Sequence, residues 1–373
     1  MNRWAPLNPH ALPRLLQWCG RRRHRGATQR WWGGSRPRRS LTAVVATGML
    51  LTATVVGCGG QREGAGSDTG GEVTCQLERT TRITIATGNA TGVYYAIGGA
   101  LADQITNAEG SRLRATAAET GASVQNIQQV VAGEYQVAFS LADTAADAVN
   151  GEGAFDEPQP IEALARIYTN YTHVIVRADS GIESVADMAG ARVSTGSPNS
   201  GTEVIANRLL QAAGLDPASD LSAQRLDLTS SVDALRDGTI DALFWSGGLP
   251  TPGITDLFTT AGDQVRFIDI TPLLPELQEI NPVYEEGEIA AEVYGTDADV
   301  PTIVVPNLLV VRDDLDANVA CIVTRTLFES QPELAEVNSA AEDISLQTAR
   351  ATDPVPLHRG AVVALDELGA PDA

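Results

Sequence analysis

The feature that most constrains the fold of this chain is a Gly-rich turn that occurs twice, each time between a strand pattern and a helix pattern. Residues 82–86 alternate polar and apolar side chains, a Thr-Gly turn follows at 87–92, and residues 96–105 have helical spacing. In the second copy, residues 195–202 join a strand pattern at 191–194 to a helix pattern at 203–213. Such turns leave backbone N–H groups free at the positive end of a helix dipole, so both predict contact with an anionic group.

Strand and helix patterns alternate along most of the chain. Strand patterns at 113–117, 135–140 and 240–245 alternate with helix patterns, and further strand-like runs lie at 163–168, 173–177 and 302–311. The segments 133–139 and 238–244 both read as a helix-ending Gly followed by a strand. The alternation predicts an α/β fold with helices on both faces of a parallel sheet. The repeated order predicts two duplicated lobes whose Thr-Gly turns face each other across a cleft.

The charge of the chain is strongly acidic once its N-terminal segment is set aside. Ten of the 26 positive residues, all Arg, lie in residues 1–57, which contain no Asp or Glu. The remaining chain therefore has 16 Arg against 47 acids, a formal charge of −31. A surface this acidic repels nucleic acid, so we expect no nucleic-acid partner.

The N-terminus reads as a secretory signal of the lipoprotein type. An Arg-rich region is followed by an apolar run at 41–56, and Cys58 comes directly after Gly57. We predict a signal peptide at 1–57, a lipid anchor on Cys58 and a flexible tether at 58–79. The folded part then lies outside the cytoplasmic membrane; an uncleaved membrane anchor is the alternative. In that setting Cys75 and Cys321 are candidates for a disulfide, the alternative being two buried free cysteines.

Candidate ligand-binding residues lie in the two turns and at the C-terminal ends of strand patterns, where open α/β sheets place ligands. Glycines let the backbone approach a ligand, hydroxyls supply hydrogen bonds, and aromatic rings shape and cover it. Each turn has the alternative of an ordinary strand-to-helix connection with a capped helix. The candidates are Thr87, Gly88, Gly92, Tyr94, Tyr95, Thr120, Ser123, Ser140, Ser197, Ser200, Gly201, Thr202, Trp245 and Gly247.

Enzyme and cofactor signatures are sparse. The turns match neither a dinucleotide-binding fingerprint nor a P-loop, and no Ser stands in a nucleophile-elbow pattern. No His, Asp or Glu cluster has metal-ligand spacing, so we expect no metal and no cofactor. His173 and His358 are interpreted as structural residues.

Several motifs together resemble those of TAXI-type solute receptors, the extracytoplasmic binding proteins of one branch of the TRAP transporters. The resemblance covers about residues 80–370. Its motifs lie at 85–88, 92–98, 120–126, 185–190, 196–202, 237–242, 294–295, 300–302 and 357–361.

The resemblance implies a type II periplasmic-binding-protein-like fold, in which two α/β lobes are joined by a two-strand hinge with a ligand cleft between them. It places lobe I at 80–174 and 312–373 and lobe II at 175–311. It also implies a small ligand, a carboxylate or amino acid such as glutamate, glutamine or a dicarboxylate, delivered to a TRAP-type permease. Residues 139–143 depart from the family pattern beside the expected site, so the ligand's identity does not carry over.

The sequence therefore predicts a non-enzymatic, lipid-anchored solute receptor that acts as a monomer. Two alternatives remain: a binding lipoprotein of an ABC importer or sensor system, and a lipid-anchored hydrolase on the same scaffold.

Overall fold

The computed structural model describes residues 71–372 and has the predicted α/β architecture. Ten strands form one curled sheet in the order β2-β1-β3-β10-β4-β7-β5-β6, with β8 paired to β4 and β9 to β10. The strands are β1 (Thr81–Ala86), β2 (Leu113–Ala118), β3 (Val137–Leu141), β4 (Ile161–Arg177), β5 (Arg192–Ser194), β6 (Ser222–Gln224), β7 (Ala242–Gly247), β8 (Val265–Phe267), β9 (Glu285–Ile289) and β10 (Val300–Arg312).

Helices follow most of these strands. They are α1 (Val93–Asn107), α2 (Ser123–Val131), α3 (Ala142–Asn150), α4 (Gly201–Ala212), α5 (Leu228–Arg236), α6 (Pro252–Ala261), α7 (Leu274–Ile280), α8 (Ala291–Tyr294), α9 (Ala317–Glu329), α10 (Gln331–Val337) and α11 (Arg359–Leu368). Gly133, just after α2, has a φ of +74°, the left-handed conformation expected of a helix-ending glycine.

The sheet consists of two similar halves. β1 pairs in parallel with β2 and β3, and β5 pairs in parallel with β6 and β7, so each half repeats one arrangement. We refer to β1–β3, α1–α3 and α9–α11 as lobe I and to β5–β9 and α4–α8 as lobe II. β4 and β10 run through both lobes and pair antiparallel with each other and with β3, β7, β8 and β9. The sheet is therefore mixed, and the prediction of a parallel sheet holds only within each half.

The two strand-like runs predicted at 163–168 and 173–177 form a single strand, β4. The polar residues between them do not interrupt it, because they pair with β10 on the lobe I side and with β7 from Tyr171 onward. β10 changes partner from β9 to β3 between Val304 and Asn307. The lobes therefore meet near Asn170 and Asn307, while the lobe boundaries expected at 174/175 and 311/312 stay a prediction.

The core of the described chain consists of four buried apolar clusters, the smallest of them around Cys75 and Cys321. One packs α1 and α9 on the lobe I end of the sheet, and another packs α5 and α6 on the lobe II end. The largest is shared, since it joins Val124, Ile127 and Leu141 of lobe I to Ile205 and Leu209 of lobe II. A disulfide pairs Cys75 with Cys321, whose Cα atoms are 5.2 Å apart, and so ties the segment before β1 to α9.

The predicted signal peptide at 1–57, the anchor residue Cys58 and most of the tether lie outside the described residues. Between Gly71 and residue 372, no helix is long and apolar enough to cross a membrane.

Both histidines of the described chain are buried and hydrogen-bonded. His173 Nε2 lies 3.0 Å from the Tyr294 hydroxyl, and His173 Nδ1 lies 2.9 Å from the Tyr171 carbonyl oxygen. His358 Nδ1 accepts a hydrogen bond from the Gly360 N–H at the start of α11, at 3.0 Å. Neither residue lines the cavity described below.

Burial of His173 makes stability depend on pH. Desolvation lowers the pKa of its imidazole from 6.5 to about 4. Between pH 4 and pH 6.5 the unfolded chain binds a proton at His173 that the folded protein does not. The contribution of the neutral His173 to the free energy of unfolding is therefore complete above pH 6.5 and is lost as the pH falls toward 4. We expect acidification to pH 4 to cost about 3 kcal/mol through His173.

Chemical denaturation at several pH values tests this expectation. The His173→Gln variant, starting from a lower stability at pH 7, should lose less on acidification than the wild type by about that amount. Parallel stability curves for the two proteins would contradict it.

Candidate functional site

Three helices begin at one cavity between the lobes. Gly92 and Val93 at the start of α1, Ala122 and Ser123 at the start of α2, and Ser200–Thr202 at the start of α4 all line it. This cleft cavity encloses about 410 Å³ of atom-free space, part of which opens to solvent.

The structure brings most of the predicted ligand-binding residues together at this cavity. Both Thr-Gly turns contribute, and so does the end of β7. The lining residues that the sequence predicted are Gly88, Gly92, Tyr94, Ser123, Ser200, Gly201, Thr202, Trp245 and Gly247.

Five predicted residues do not line the cavity, because the fold uses their side chains elsewhere. The Thr87 hydroxyl donates to the Ala118 carbonyl at 2.6 Å, and Thr120 bonds to Asn126. The buried Ser140 hydroxyl donates to the Leu141 carbonyl, Ser197 bonds to Asn89, and Tyr95 is 40% exposed on the outer side of α1.

Eight further lining residues were not named as candidates, although all of them except Tyr168 and Asn170 adjoin a named candidate in sequence. They are Asn89, Val93, Gly121, Ala122, Leu141, Tyr168, Asn170 and Ser246. The available signal was the polar run at 169–172, which contains Asn170 and stands between two apolar strand-like runs.

A polar network forms the floor of the cavity, where the paired strands β4 and β10 pass from one lobe to the other. Asn307 donates to the Asn170 side chain at 2.8 Å and to the Tyr168 carbonyl at 3.0 Å, and it accepts from the Tyr94 hydroxyl. The backbone N–H of Ser246 donates to the Thr202 hydroxyl at 3.2 Å. These bonds join Tyr94 of lobe I to both hinge strands and α4 to β7, so the floor is polar.

Two hydroxyl groups of α4 can donate to a ligand. Thr202 accepts a hydrogen bond from the Ser246 N–H, and Ser200 caps α4 by accepting from the Glu203 N–H at 3.0 Å. Among the described residues neither hydroxyl has a recorded acceptor. A hydroxyl whose oxygen already accepts keeps its hydrogen for another partner. The Ser123 hydroxyl accepts from the Leu141 N–H at 3.1 Å and also interacts with the Tyr94 side chain.

The backbone at the start of α2 is strained. Ala122 has φ 88° and ψ −148°, a region that is essentially restricted to glycine, and it lines the cavity. Such strain costs of order 1–3 kcal/mol and collects at functional sites, where surrounding contacts hold it.

Contacts across the cleft hold the lobes closed around the cavity. The Asn89 side-chain oxygen of lobe I accepts from the Ser197 hydroxyl and the Leu228 N–H of lobe II, both at 3.1 Å. The Gln125 N–H donates across the cleft to the Asn199 carbonyl at 3.0 Å. A Cβ placed on Gly92 would lie 3.3 Å from the Trp245 ring, so that ring packs directly on the first turn.

A buried charged group, the Arg208 cluster, also joins the lobes. Arg208 on α4 of lobe II pairs with Asp143 at 2.9 Å and with Asp147 at 2.6 Å, both on α3 of lobe I. The Tyr284 hydroxyl donates to Asp143 and accepts from Arg208. Asp143 and Tyr284 are fully buried, and Arg208 and Asp147 are nearly so.

The charges in this cluster are mutually compensated. Burial by itself lowers the pKa of Arg208, but the carboxylates of Asp143 and Asp147 raise it above its ordinary value. Burial raises the pKa of Asp147, and Arg208 opposes that shift. Arg208 therefore stays charged, and its charge is committed to the two carboxylates instead of to a ligand.

The cleft cavity has an uncharged lining. None of its 17 lining residues among positions 71–372 is Asp, Glu, Arg, Lys or His. Within that same range no group of three or more His, Cys, Asp or Glu residues is arranged to hold a metal ion. The arrangement can bind a polar solute through neutral donors and exclude water by closing.

Comparison with known proteins gives one family match and several distant structural likenesses. The model of the NMT1-like family matches residues 85–369. The chain is similar to the periplasmic aliphatic sulphonate binding protein of Escherichia coli, with 15% identity, coverage of 78% of this chain and 84% of that chain, and a TM-score of 0.42. It is also similar to a binding component of an ABC phosphonate transporter from Pseudomonas aeruginosa, with 14% identity, 78% and 95% coverage, and a TM-score of 0.48. At these values the likenesses do not indicate what this chain binds.

Proposed function

The chain belongs to the NMT1-like family, and on that premise we propose that it is an extracytoplasmic solute-binding receptor. Its lobes close on a small organic anion or amino acid and present it to a membrane transporter. The observation that carries the proposal is the cleft cavity, at which the N-termini of α1 and α2 of lobe I meet that of α4 of lobe II.

Ligand binding and lobe closure are coupled in this proposal. A solute that touches Ser123 on one lobe and Thr202 on the other has its full set of contacts only when the lobes are closed. It therefore stabilises the closed state by its differential affinity. β4 and β10 supply the hinge, since they are the strands that pass between lobes.

A thermal-shift screen of amino acids, carboxylates, sulfonates and phosphonates on the purified protein tests the receptor function. A ligand present at about 100 times its Kd adds about 2.7 kcal/mol to the stability of the native state. We expect a melting-temperature rise of roughly 5 °C for the cognate class. A panel without any response would contradict the receptor function.

The transporter partner is a separate part of the proposal. The motif resemblance supports a TRAP-type permease of the TAXI branch. The alternative predicted from the sequence is an ABC importer, and the phosphonate-binding protein described above is a component of an ABC transporter. Uptake into cells that depends on ATP when the ion gradient is collapsed would support the importer, and uptake that follows the ion gradient would support the TRAP permease.

A lipid-anchored hydrolase is less well supported. Ser123 and Ser200 line the cavity, but none of the lining residues among positions 71–372 is a His or an acid that could act as their base. The anchor on Cys58 and the membrane location remain part of the proposal and are tested by lipid labelling of a Cys58→Ala variant.

A further inference from the structure

The cleft cavity offers a ligand many neutral hydrogen-bond donors and no charged group. We propose that the ligand is a small organic monoanion without an ammonium group. Its oxyanion lies at the N-termini of α2 and α4, and a second oxygen accepts a hydrogen bond from the Tyr168 hydroxyl. This inference rests on the proposed receptor function and names the substrate class of the same site.

The oxyanion position follows from the backbone donors. The N–H groups of Ser123 in α2, and of Gly201 and Thr202 in α4, all residues that line the cavity, have no acceptor within the described part of the chain. Free N–H groups at helix starts bind anions, and the helix dipoles add a favourable potential. Here two helices from opposite lobes supply such groups to one cavity, together with the Thr202 hydroxyl.

The second oxygen follows from Tyr168. Tyr168 is one of the lining residues, is 1% exposed, and carries a buried hydroxyl without a hydrogen-bond partner in residues 71–372. An unpaired buried hydroxyl costs free energy, and native proteins seldom leave one unsatisfied. Tyr94, the other tyrosine of the cavity, has its hydroxyl bonded to Asn307. The Tyr168 hydroxyl is therefore the group that a ligand satisfies.

The uncharged lining limits the charge of the ligand. An ammonium group would be buried without a carboxylate, since Asp143 and Asp147 are paired with Arg208 and do not line the cavity. A second carboxylate would be buried without a cation, for the same reason. Burying an ion without a counter-charge is costly, so amino acids and dicarboxylates are disfavoured relative to monoanions.

Matched probes test the substrate class by calorimetry on the full chain in mild detergent. Lactate, pyruvate and propionate are compared with alanine and succinate, and methanesulfonate is included to distinguish a sulfonate from a carboxylate. We expect a monoanion that carries a second oxygen to bind at least roughly tenfold more tightly than alanine or succinate. Tighter binding of alanine or succinate would overturn the substrate class and leave the receptor function intact.

A failure of all these probes is also informative. If none binds while the wider thermal-shift screen finds another ligand, the monoanion class is overturned. If neither experiment finds a ligand, the receptor function is overturned with it.

Two tyrosine variants test the role of Tyr168. Tyr168→Phe should weaken binding of the tightest of the named probes about tenfold, because the ligand loses one hydrogen bond. Without ligand its melting temperature should stay equal or rise, since this hydroxyl has no protein partner to lose. Tyr94→Phe is the matched control and should lower the melting temperature by leaving Asn307 unsatisfied. Unchanged affinity in Tyr168→Phe, or a lowered melting temperature without ligand, would overturn the assignment.

Discussion

Replacing Gly201 with Val is expected to weaken ligand binding roughly a hundredfold without unfolding the protein. A Cβ at Gly201 would lie 2.5 Å from Leu141 Cδ1 and 2.7 Å from Ser123 Oγ. Both atoms belong to lobe I, whereas Gly201 belongs to lobe II, so the overlap exists only when the cleft is closed. Overpacking of this kind costs about 1–3 kcal/mol, and the loss of closed population lowers apparent affinity in proportion.

The measurement is calorimetric titration with the solute that gives the largest thermal shift, together with solution scattering to detect an open cleft. Gly99→Val is the matched control, because a Cβ at Gly99 in α1 meets no atom within 4 Å. We expect wild-type affinity in that variant. Wild-type affinity in Gly201→Val as well would show that α4 and α2 do not approach each other in the bound state. A substitution at Gly88 should weaken binding less than one at Gly201, because a Cβ at Gly88 makes ordinary van der Waals contacts at 3.4 Å or more.

The fold could be predicted because its main signals are local. The alternation of strand and helix patterns and the glycines that end helices lie within short windows of sequence, so β1–β3, α1 and α4 were located to within a few residues. Short edge strands gave no such signal. β9 contains three Glu residues in five, a composition that disfavours strands, and it forms because β10 supplies a partner edge.

The candidate site was predictable in part for the same reason. Glycines and hydroxyls at the start of a helix indicate a ligand-binding turn without knowledge of the rest of the structure. Tyr168 and Asn170 lie in the middle of β4, where sequence alone does not distinguish a cavity-lining residue from a core residue. They reach the cavity only because β4 passes between the lobes at that point.

The Arg208 cluster was beyond prediction from local pattern. Arg208 is separated from Asp143 by 65 residues and from Asp147 by 61, and each lies in a helix whose charged residues would ordinarily face solvent. Their burial follows from packing of α3 against α4 when the lobes close. A polar contact between two lobes does not change the spacing of apolar residues in the helices of either lobe, so that spacing could not predict it.

That burial makes the Arg208→Met variant the second substitution with a large expected effect. Removing the guanidinium leaves Asp143 and Asp147 buried without a counter-charge, which costs about 3–5 kcal/mol. Because the partners lie on different lobes, opening the cleft returns both carboxylates to water. We therefore expect ligand affinity to fall more than a hundredfold and the cleft to stay open, while the ligand-free protein remains folded.

The control for charge loss alone is Arg236→Met. Arg236 pairs with Asp233 and Asp256, whose side chains are 62% and 60% exposed, so its removal should change affinity and stability by less than about 1 kcal/mol. Unfolding of Arg208→Met in the absence of ligand, at temperatures where Arg236→Met stays folded, would mean that the cluster stabilises the fold and not only the closed state.

A triple variant separates the two ways in which the cluster can act on closure. Asp143→Asn, Asp147→Asn and Arg208→Met together remove the uncompensated charge and keep the side-chain volumes similar. If the loss in Arg208→Met comes from burying unpaired carboxylates, the triple variant should recover most of the affinity, since neutral replacements of buried ion pairs are often close to neutral in stability. If it stays as weak as Arg208→Met, the attraction between Arg208 and the two aspartates itself holds the lobes together. In that case the closed population of the ligand-free protein should fall as strongly in the triple variant as in the single one.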